Sequence, residues 1–351
     1  MPVVAAERPG PDRPGPDWTG PAWTVRSAVR AFRRAHPELG DEVCVALSGG
    51  ADSLALTAAA AAEFAAVTAL VVDHGLQPGS DRVAGSAAAA ARGLGAGAEV
   101  LVVVVTPDGS GPEAAARDAR YAALDAARGD RPVLFGHTLD DQAETVLLGL
   151  GRGSGARSLR GMAEWDAPWG RPLLGVRAED TRAACRLLDL DWWEDPHNSD
   201  PTFTRVRLRH EVLPLLEEVL GGGVARGLAR TARLVGDDDD ELERLAAAVP
   251  VGGDGTLAIS HLEALPTAVL TRVIRRWLRS RGVASPTYVQ LTAVAELVTQ
   301  WRGQGGVAVG GGGPAEPGGA GAVRRLVARR RHGKVVLEIE RANGAGTTDG
   351  Q

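Results

Sequence analysis

The chain has 351 residues, 24% of them charged, with 39 basic and 44 acidic side chains and a formal net charge of −5. This is the balance of a globular protein long enough for two domains with cores of their own. No uncharged apolar run reaches the roughly 18 residues a membrane helix needs, and the single lysine, Lys334, excludes a Walker A loop or a lysine Schiff base in the N-terminal two-thirds.

Residues 1–20, rich in Pro and Gly, read as a disordered tail without the apolar core of a secretory signal. From residue 41 apolar runs of strand length (42–47, 67–72, 99–105, 132–136) alternate with helix-length segments (52–65, 81–94, 112–128), and a further helix is expected over 139–150. Continuous apolar strands separated by helices predict an α/β fold, a doubly wound parallel sheet covered on both faces. The glycine- and arginine-rich stretch 151–175 reads as a loop, followed by a helix over 179–190, a short strand over 191–195 and a helix over 203–220. The triple glycine 221–223 is a natural break, which divides the chain into a catalytic domain (21–220) and a smaller, mainly helical C-terminal domain (221–351). Helices are expected there at 224–248, 267–281 and 286–301, then a Gly/Pro stretch (303–322) and a strand-like pair at 323–331 and 334–340. Cys44 and Cys185 form no CxxC, as in a reduced cytoplasmic protein with two core thiols.

Ligands of such sheets bind where the strands end, so the polar turns after the strands should converge on one crevice. The first is "SGGADS" (48–53). Its glycines let backbone N–H groups close on an anion, the following helix adds its dipole, and Ser48 and Ser53 add hydroxyls. Asp52 is either a helix cap or, because a carboxylate repels phosphate, the ligand of an interposed Mg²⁺. The second is "GHTLDDQAETVLLGLGRGSG" (136–155). Thr138 and Asp141 fit a capping box, but Glu144 shares a helix face with Asp140 and Asp141, and three like charges there call for Mg²⁺ or an ammonium. His137 is either structural or faces the crevice. Arg117 and Arg120 share a helix face, and Arg205, Arg207 and Arg209 are spaced to suit a phosphate backbone.

"SGGADS" resembles the SGGxDS signature of the PP-loop ATP pyrophosphatases. With "DHGLQ" (73–77), "ARDARY" (116–121) and "EDPHNSDPTFTRVRLRHEVLP" (194–214), the motifs stand in the order and spacing of the bacterial tRNA(Ile)-lysidine synthetase family. The likeness is close over 40–220 and looser beyond, where "WRGQGGVAV" (301–309) and the basic end fit that family's substrate-binding domain. Thr138 stands where many members have a second histidine.

The resemblance implies ATP-dependent joining of free L-lysine to the wobble cytidine of a CAU-anticodon tRNA(Ile), through an adenylated base, with release of AMP and pyrophosphate. It implies that Ser48, Gly49, Gly50, Ala51, Asp52 and Ser53 bind the ATP pyrophosphate, and that Asp52 and Asp141 hold Mg²⁺. Asp141 and Glu144 would receive the lysine ammonium, with Asp140 in reserve. Arg117 would orient the cytidine or adenylate, and a carboxylate or His137 would take the amine's proton. The tRNA would lie on Arg152, Arg157 and Arg160, on Arg205, Arg207 and Arg209, and on "RRLVARRRHGK" (324–334), including Arg329 and Arg330. Because arginine is nearly the whole basic complement, these clusters are weaker signs of nucleic acid than they look. The resemblance allows a homodimer and gives no membrane partner. A tRNA thiolation enzyme would need paired cysteines, an NAD or GMP synthetase has no use for the arginine clusters, and an inactive tRNA-binding module would not keep Ser48, Asp52, Asp141 and Glu144.

Overall fold

Strand Glu42–Ala46 carries the logic of the fold: Val43 and Val45 enter one buried layer and Cys44 the other. That two-residue alternation buries both faces of a sheet. The computed structural model describes residues 18–75, 79–105, 111–153, 155–311 and 324–341. The chain divides into two units, the first ending at Gly236 and the second beginning at Asp237, inside one long helix.

In chain order the first unit has α1 (Gly20–Ala35), β1 (Glu42–Ala46), α2 (Ala51–Glu63), β2 (Ala66–Asp73), α3 (Ser80–Gly93), β3 (Gly97–Val102), α4 (Pro112–Arg128), β4 (Val133–Phe135) and α5 (Leu139–Arg152). There follow α6 (Ala156–Leu159), β5 (Trp165–Asp166), β6 (Trp169–Gly170), α7 (Ala178–Leu187), α8 (Thr204–Arg207) and α9 (Leu213–Val219). The sheet order is β3-β2-β1-β4-β6-β5, parallel except for β5 against β6. Side chains of α1, α2, α3 and α7 build the core on one face, and Tyr121 and Leu124 of α4 pack on the other with Cys44, Leu70 and Phe135. The order in which strands are added reverses at β1, which pairs in parallel with β2 on one side and β4 on the other. This switch point opens a crevice at the carboxyl ends of β1 and β4.

The expected strands and helices of this unit appear within a few residues, with three differences. Helix α1 has no counterpart in the sequence reading; it buries Ala22, Val25, Val29 and Phe32 along one stripe. The 151–175 loop contains α6 and the β5–β6 hairpin, and β6 extends the sheet beside β4 because Gly170 has no side chain: a Cβ there would lie 2.7 Å from Leu134 and 2.8 Å from Phe32. Residues 191–195 form no strand; Trp193 N–H donates instead to Gly49 C=O at 3.0 Å. Residues 1–17 of the expected tail, part of the turn after β2 and the turn 106–110 lie outside the described residues.

The last helix of the first unit is α10 (Val224–Ala247), which continues into the second. The second unit adds β7 (Leu257–Ala258), α11 (Thr267–Ser280), α12 (Tyr288–Thr299), β8 (Val307–Gly311), β9 (Arg324–Arg331) and β10 (Lys334–Arg341). Its helices and a four-stranded antiparallel sheet, β7-β10-β9-β8, share a core around Trp277, Ile274, Leu257 and Val294. The expected strand pair is the β9–β10 hairpin, closed by His332 and Gly333, both at positive φ, as a two-residue turn requires. Strand β8 lies inside what reads as a Gly/Pro linker. Gly306 explains it: a Cβ there would meet Val327 at 2.5 Å and Arg329 at 2.6 Å, so glycine lets β8 start against β9. The rest of that stretch, 312–322, lies outside the described residues. Among the described residues no helix is long and apolar enough to cross a membrane.

Candidate active site

The turn after β1 is held by its own hydroxyls. Ser48 N–H donates to Ser53 Oγ (3.2 Å), the two hydroxyl oxygens stand 3.1 Å apart, and Ser53 Oγ–H donates to Gly50 C=O (3.0 Å). Gly49 sits at φ +85°, a conformation that favours glycine. The turn opens α2, so free backbone N–H groups and the helix dipole point at the crevice. The end of β4 presses on it: a Cβ on Gly136 would lie 2.9 Å from Asp52 C and Ser53 N. Gly136→Ala should therefore displace the turn, lowering the midpoint of thermal unfolding and cutting nucleotide-dependent turnover at least tenfold; an unchanged melt with full activity would contradict this.

Turn and strand ends line an open cavity of about 1100 Å³, within the first unit, that also includes His74, Arg120, His137, Asp141, Glu144, Arg205 and Arg209. Asp52 faces it, and Thr181 Oγ–H donates to its Oδ1. Burial pushes the Asp52 carboxyl up to about 6, and the nearby Asp141 charge adds to the shift. Nothing in the local sequence marked Thr181, because its contact spans 129 residues.

Asp141 does what the capping box predicts, accepting from Thr138 N–H (2.8 Å) and from its hydroxyl (3.0 Å), both at Oδ2. Its Oδ1 accepts from Arg209 Nη2 at 2.9 Å, and Glu144 Oε1 accepts from Arg209 Nε at 2.6 Å. The cation that the clustered carboxylates required is thus the chain's own guanidinium. Arg209 lies in a π-helical stretch, Leu208–Val212, between α8 and α9. Pro214, in the first turn of α9, has no N–H for a regular helical bond to the preceding turn, and a wider turn forms there. Glu144 is fully buried, its Oε2 has no hydrogen-bond partner, and desolvation raises its pKa against the pull of Arg209. Asp140 belongs elsewhere: it accepts from Ala178 N–H at the start of α7 (2.8 Å) and pairs with Arg177 (3.1 Å).

His137 stacks on Phe135 at 5.5 Å and is held neutral, burial pushing its pKa down to about 4. Of the "ARDARY" arginines, Arg117 is exposed beside the Tyr121 ring (5.3 Å), and Arg120 is the one that lines the cavity. Arg205 also lines it and donates to Thr145 Oγ1 at 3.4 Å, whereas Arg207 pairs with Glu211 outside it (2.8 Å). Arg152 and Arg157 are exposed, at the end of α5 and in α6. In the second unit Arg329 pairs with Glu338 and Glu340 across the hairpin, and Arg330 donates to the Leu297 and Val298 carbonyls at 3.1 and 3.2 Å beside Trp301. Two arginines of the basic run, Arg329 and Arg331, are thus paired with glutamates of the neighbouring strand.

A parallel sheet with an Ser-Gly-Gly-x-Asp-Ser turn at its switch point, and no phosphate-binding lysine, defines a PP-loop nucleotide-binding domain. A family model described as a PP-loop domain matches residues 25–216, and a second, described as the TilS substrate binding domain, matches 257–336. The chain is 60% identical over 317 residues to a tRNA(Ile)-lysidine synthase of Nocardia farcinica (89% of this chain, 97% of that one). It is 57% identical over 318 residues to one of Rhodococcus erythropolis (90% and 95%) and 56% identical over 323 residues to one of Mycobacterium tuberculosis (90% and 97%). The chain belongs to the tRNA(Ile)-lysidine synthase family.

Proposed function

We propose that the protein uses ATP to join free L-lysine to C2 of the wobble cytidine in the CAU anticodon of tRNA(Ile). The observation that carries this reading, beside family membership, is one cavity lined by both a phosphate-binding turn and the Asp141–Glu144 carboxylate pair, with an unpartnered acceptor at the buried Glu144 Oε2. Cytidine O2 attacks the α-phosphorus; the O2–P bond forms, the bond to the β-phosphate oxygen breaks, and pyrophosphate leaves with the electron pair. The lysine ε-nitrogen then attacks C2 and AMP departs with the C2–O bond electrons. The amine loses one proton before attack and one as the C–N bond forms.

Each residue has work suited to its environment. Amides of Ser48–Ser53 hold the pyrophosphate while it leaves. Glu144, with a raised pKa and a free oxygen, receives the lysine ammonium and is a better proton acceptor than His137, whose low pKa makes it a weak base. His137 instead is a neutral imidazole whose Nδ1 has no hydrogen-bond partner among the described residues. Among the described residues no three His, Cys, Asp or Glu side chains cluster as a metal site. Mg²⁺ needs only one or two carboxylates when phosphate oxygens and water complete its shell, and Asp52 with Asp141 fits that donor set. When bound there, Mg²⁺ would neutralise charge on the phosphates.

The tRNA is assigned to Arg152, Arg157, Arg205 and Arg207 of the first unit and to Arg329 and Arg330 of the second, the last two also engaged by Glu338, Glu340 and the Leu297 and Val298 carbonyls. Arg157→Ala should reduce the slope of log affinity against log salt by about one, weakening tRNA binding without altering ATP affinity. Multiple-turnover AMP release with ATP, lysine and the CAU-anticodon tRNA tests the function. Turnover should need all three; turnover without lysine, or with any tRNA, would overturn the reading.

A further inference from the structure

Two arginines of the cavity wall are partly buried, and only one has carboxylate partners. Arg209 has Asp141 and Glu144. Arg120 has no carboxylate within ion-pair distance among the described residues, and its Nε is inaccessible and without a hydrogen-bond partner. Burial lowers its pKa, the sign of a charge that is poorly compensated. A guanidinium partly withdrawn from water, with an inaccessible Nε and no carboxylate beside it, is poorly compensated. Its position is also rigidly set. Arg120 lies over the Tyr121 ring (5.7 Å), and Tyr121 is wedged against Phe135 (5.3 Å) and Trp169 (5.2 Å) in the core under α4. Two further nitrogens on the same wall are orphaned, His74 Nδ1 and His137 Nδ1.

We infer that Arg120, flanked by His74 and His137, is an anion subsite of the cavity that takes the α-phosphate of the nucleotide, separate from the Ser48–Ser53 turn that takes the pyrophosphate. The missing counter-charge is supplied by the ligand. Arg120, with two neutral imidazoles beside it, gives the cavity a cationic group, and Asp52, Asp141 and Glu144 give it a set of carboxylates. The phosphoryl group meets the first, and the incoming ammonium meets the second. As O2 attacks, negative charge gathers on the equatorial oxygens of the α-phosphorus, and a prepositioned guanidinium stabilises it without reorganising. This assignment deepens the proposed reaction and rests on it for the catalytic step, though not for nucleotide binding.

Calorimetry of the full chain with AMP and with adenosine separates the two. Arg120→Ala should weaken AMP binding at least tenfold and change adenosine binding less than twofold, with Arg120→Lys between. Methylguanidinium should restore part of AMP affinity to Arg120→Ala. In single turnovers with ATP and tRNA, the same variant should release pyrophosphate at least a hundredfold more slowly. Unchanged AMP affinity, or equal loss for AMP and adenosine in both variants, would overturn the subsite. Loss of tRNA affinity with AMP affinity intact would assign Arg120 to a tRNA phosphate and overturn it too. If the wild-type chain bound AMP as expected but made no lysidine, the reaction would fall while the subsite stood.

Discussion

Arg209→Ala is expected to destabilise the protein by about 2–3 kcal/mol near pH 8, because it strands Asp141 and a fully buried Glu144 without their cation. Arg209 is about one-third exposed, which places the figure at the lower end of buried-pair losses. The deficit should depend on pH in a definite direction. Glu144 already has a raised pKa, and removing the guanidinium raises it further. At a pH below both values Glu144 is neutral with or without Arg209, and its contribution vanishes. As pH rises the intact protein ionises it beside a cation and the variant must ionise it alone, so the difference grows. Urea unfolding at pH 5 and pH 8 measures it; a loss that is equal at the two pH values would count against the argument. The same protonation removes the acceptor proposed for lysine. KM for lysine should rise at least tenfold and recover in part as pH is raised, whereas ATP binding should change little.

Asp52→Asn should move stability and activity in opposite directions. The folded carboxyl is pushed up to about 6 from an ordinary value of 3.8, mainly by burial. A raised carboxylate pKa means that stability is complete below the unfolded value and is lost as pH climbs from about 4 to about 6. The neutral amide avoids that loss and can still accept from Thr181. Two pKa units correspond to about 2–3 kcal/mol, so the variant should be more stable by about that amount at pH 8 and equal to wild type at pH 4. Turnover should fall by about two to three orders of magnitude, since a carboxylate proposed to face Mg²⁺ has become neutral. A variant that is both inactive and less stable at pH 8 would show that Asp52 supports the turn rather than working against it.

The sheet was legible because its signal is local: valines and alanines alternating faces, interrupted by helix-length segments. The turn after β1 and the capping box of α5 were legible for the same reason, each lying within six residues. Electrostatics on the sequence pointed to a cation between Asp141 and Glu144 but not to its origin. That cation lies 65 residues on from Glu144, in a π-helical stretch whose width no periodicity reveals. The choice between Arg117 and Arg120 was equally out of reach. Three residues apart, they share a helix face and both lie beside the Tyr121 ring, yet only Arg120 lines the cavity. That Glu338 and Glu340 pair with Arg329 and Arg331 was not legible, because those glutamates come from a strand that meets β9 only once folded.

The bond from Trp193 N–H to Gly49 C=O, together with the contact of Thr181 with Asp52, has a consequence for the order of assembly. The phosphate turn is local in sequence, yet its setting is completed by segments more than a hundred residues later. Closing so long a loop is entropically slow, and contacts of this separation form late in folding. Nascent chains ending between β4 and α7 would carry the turn without its clasp. Nucleotide affinity should therefore emerge from the ribosome in one step, after Trp193 clears the tunnel, and ATP would act as a ligand for the finished domain and not as a template for the growing one.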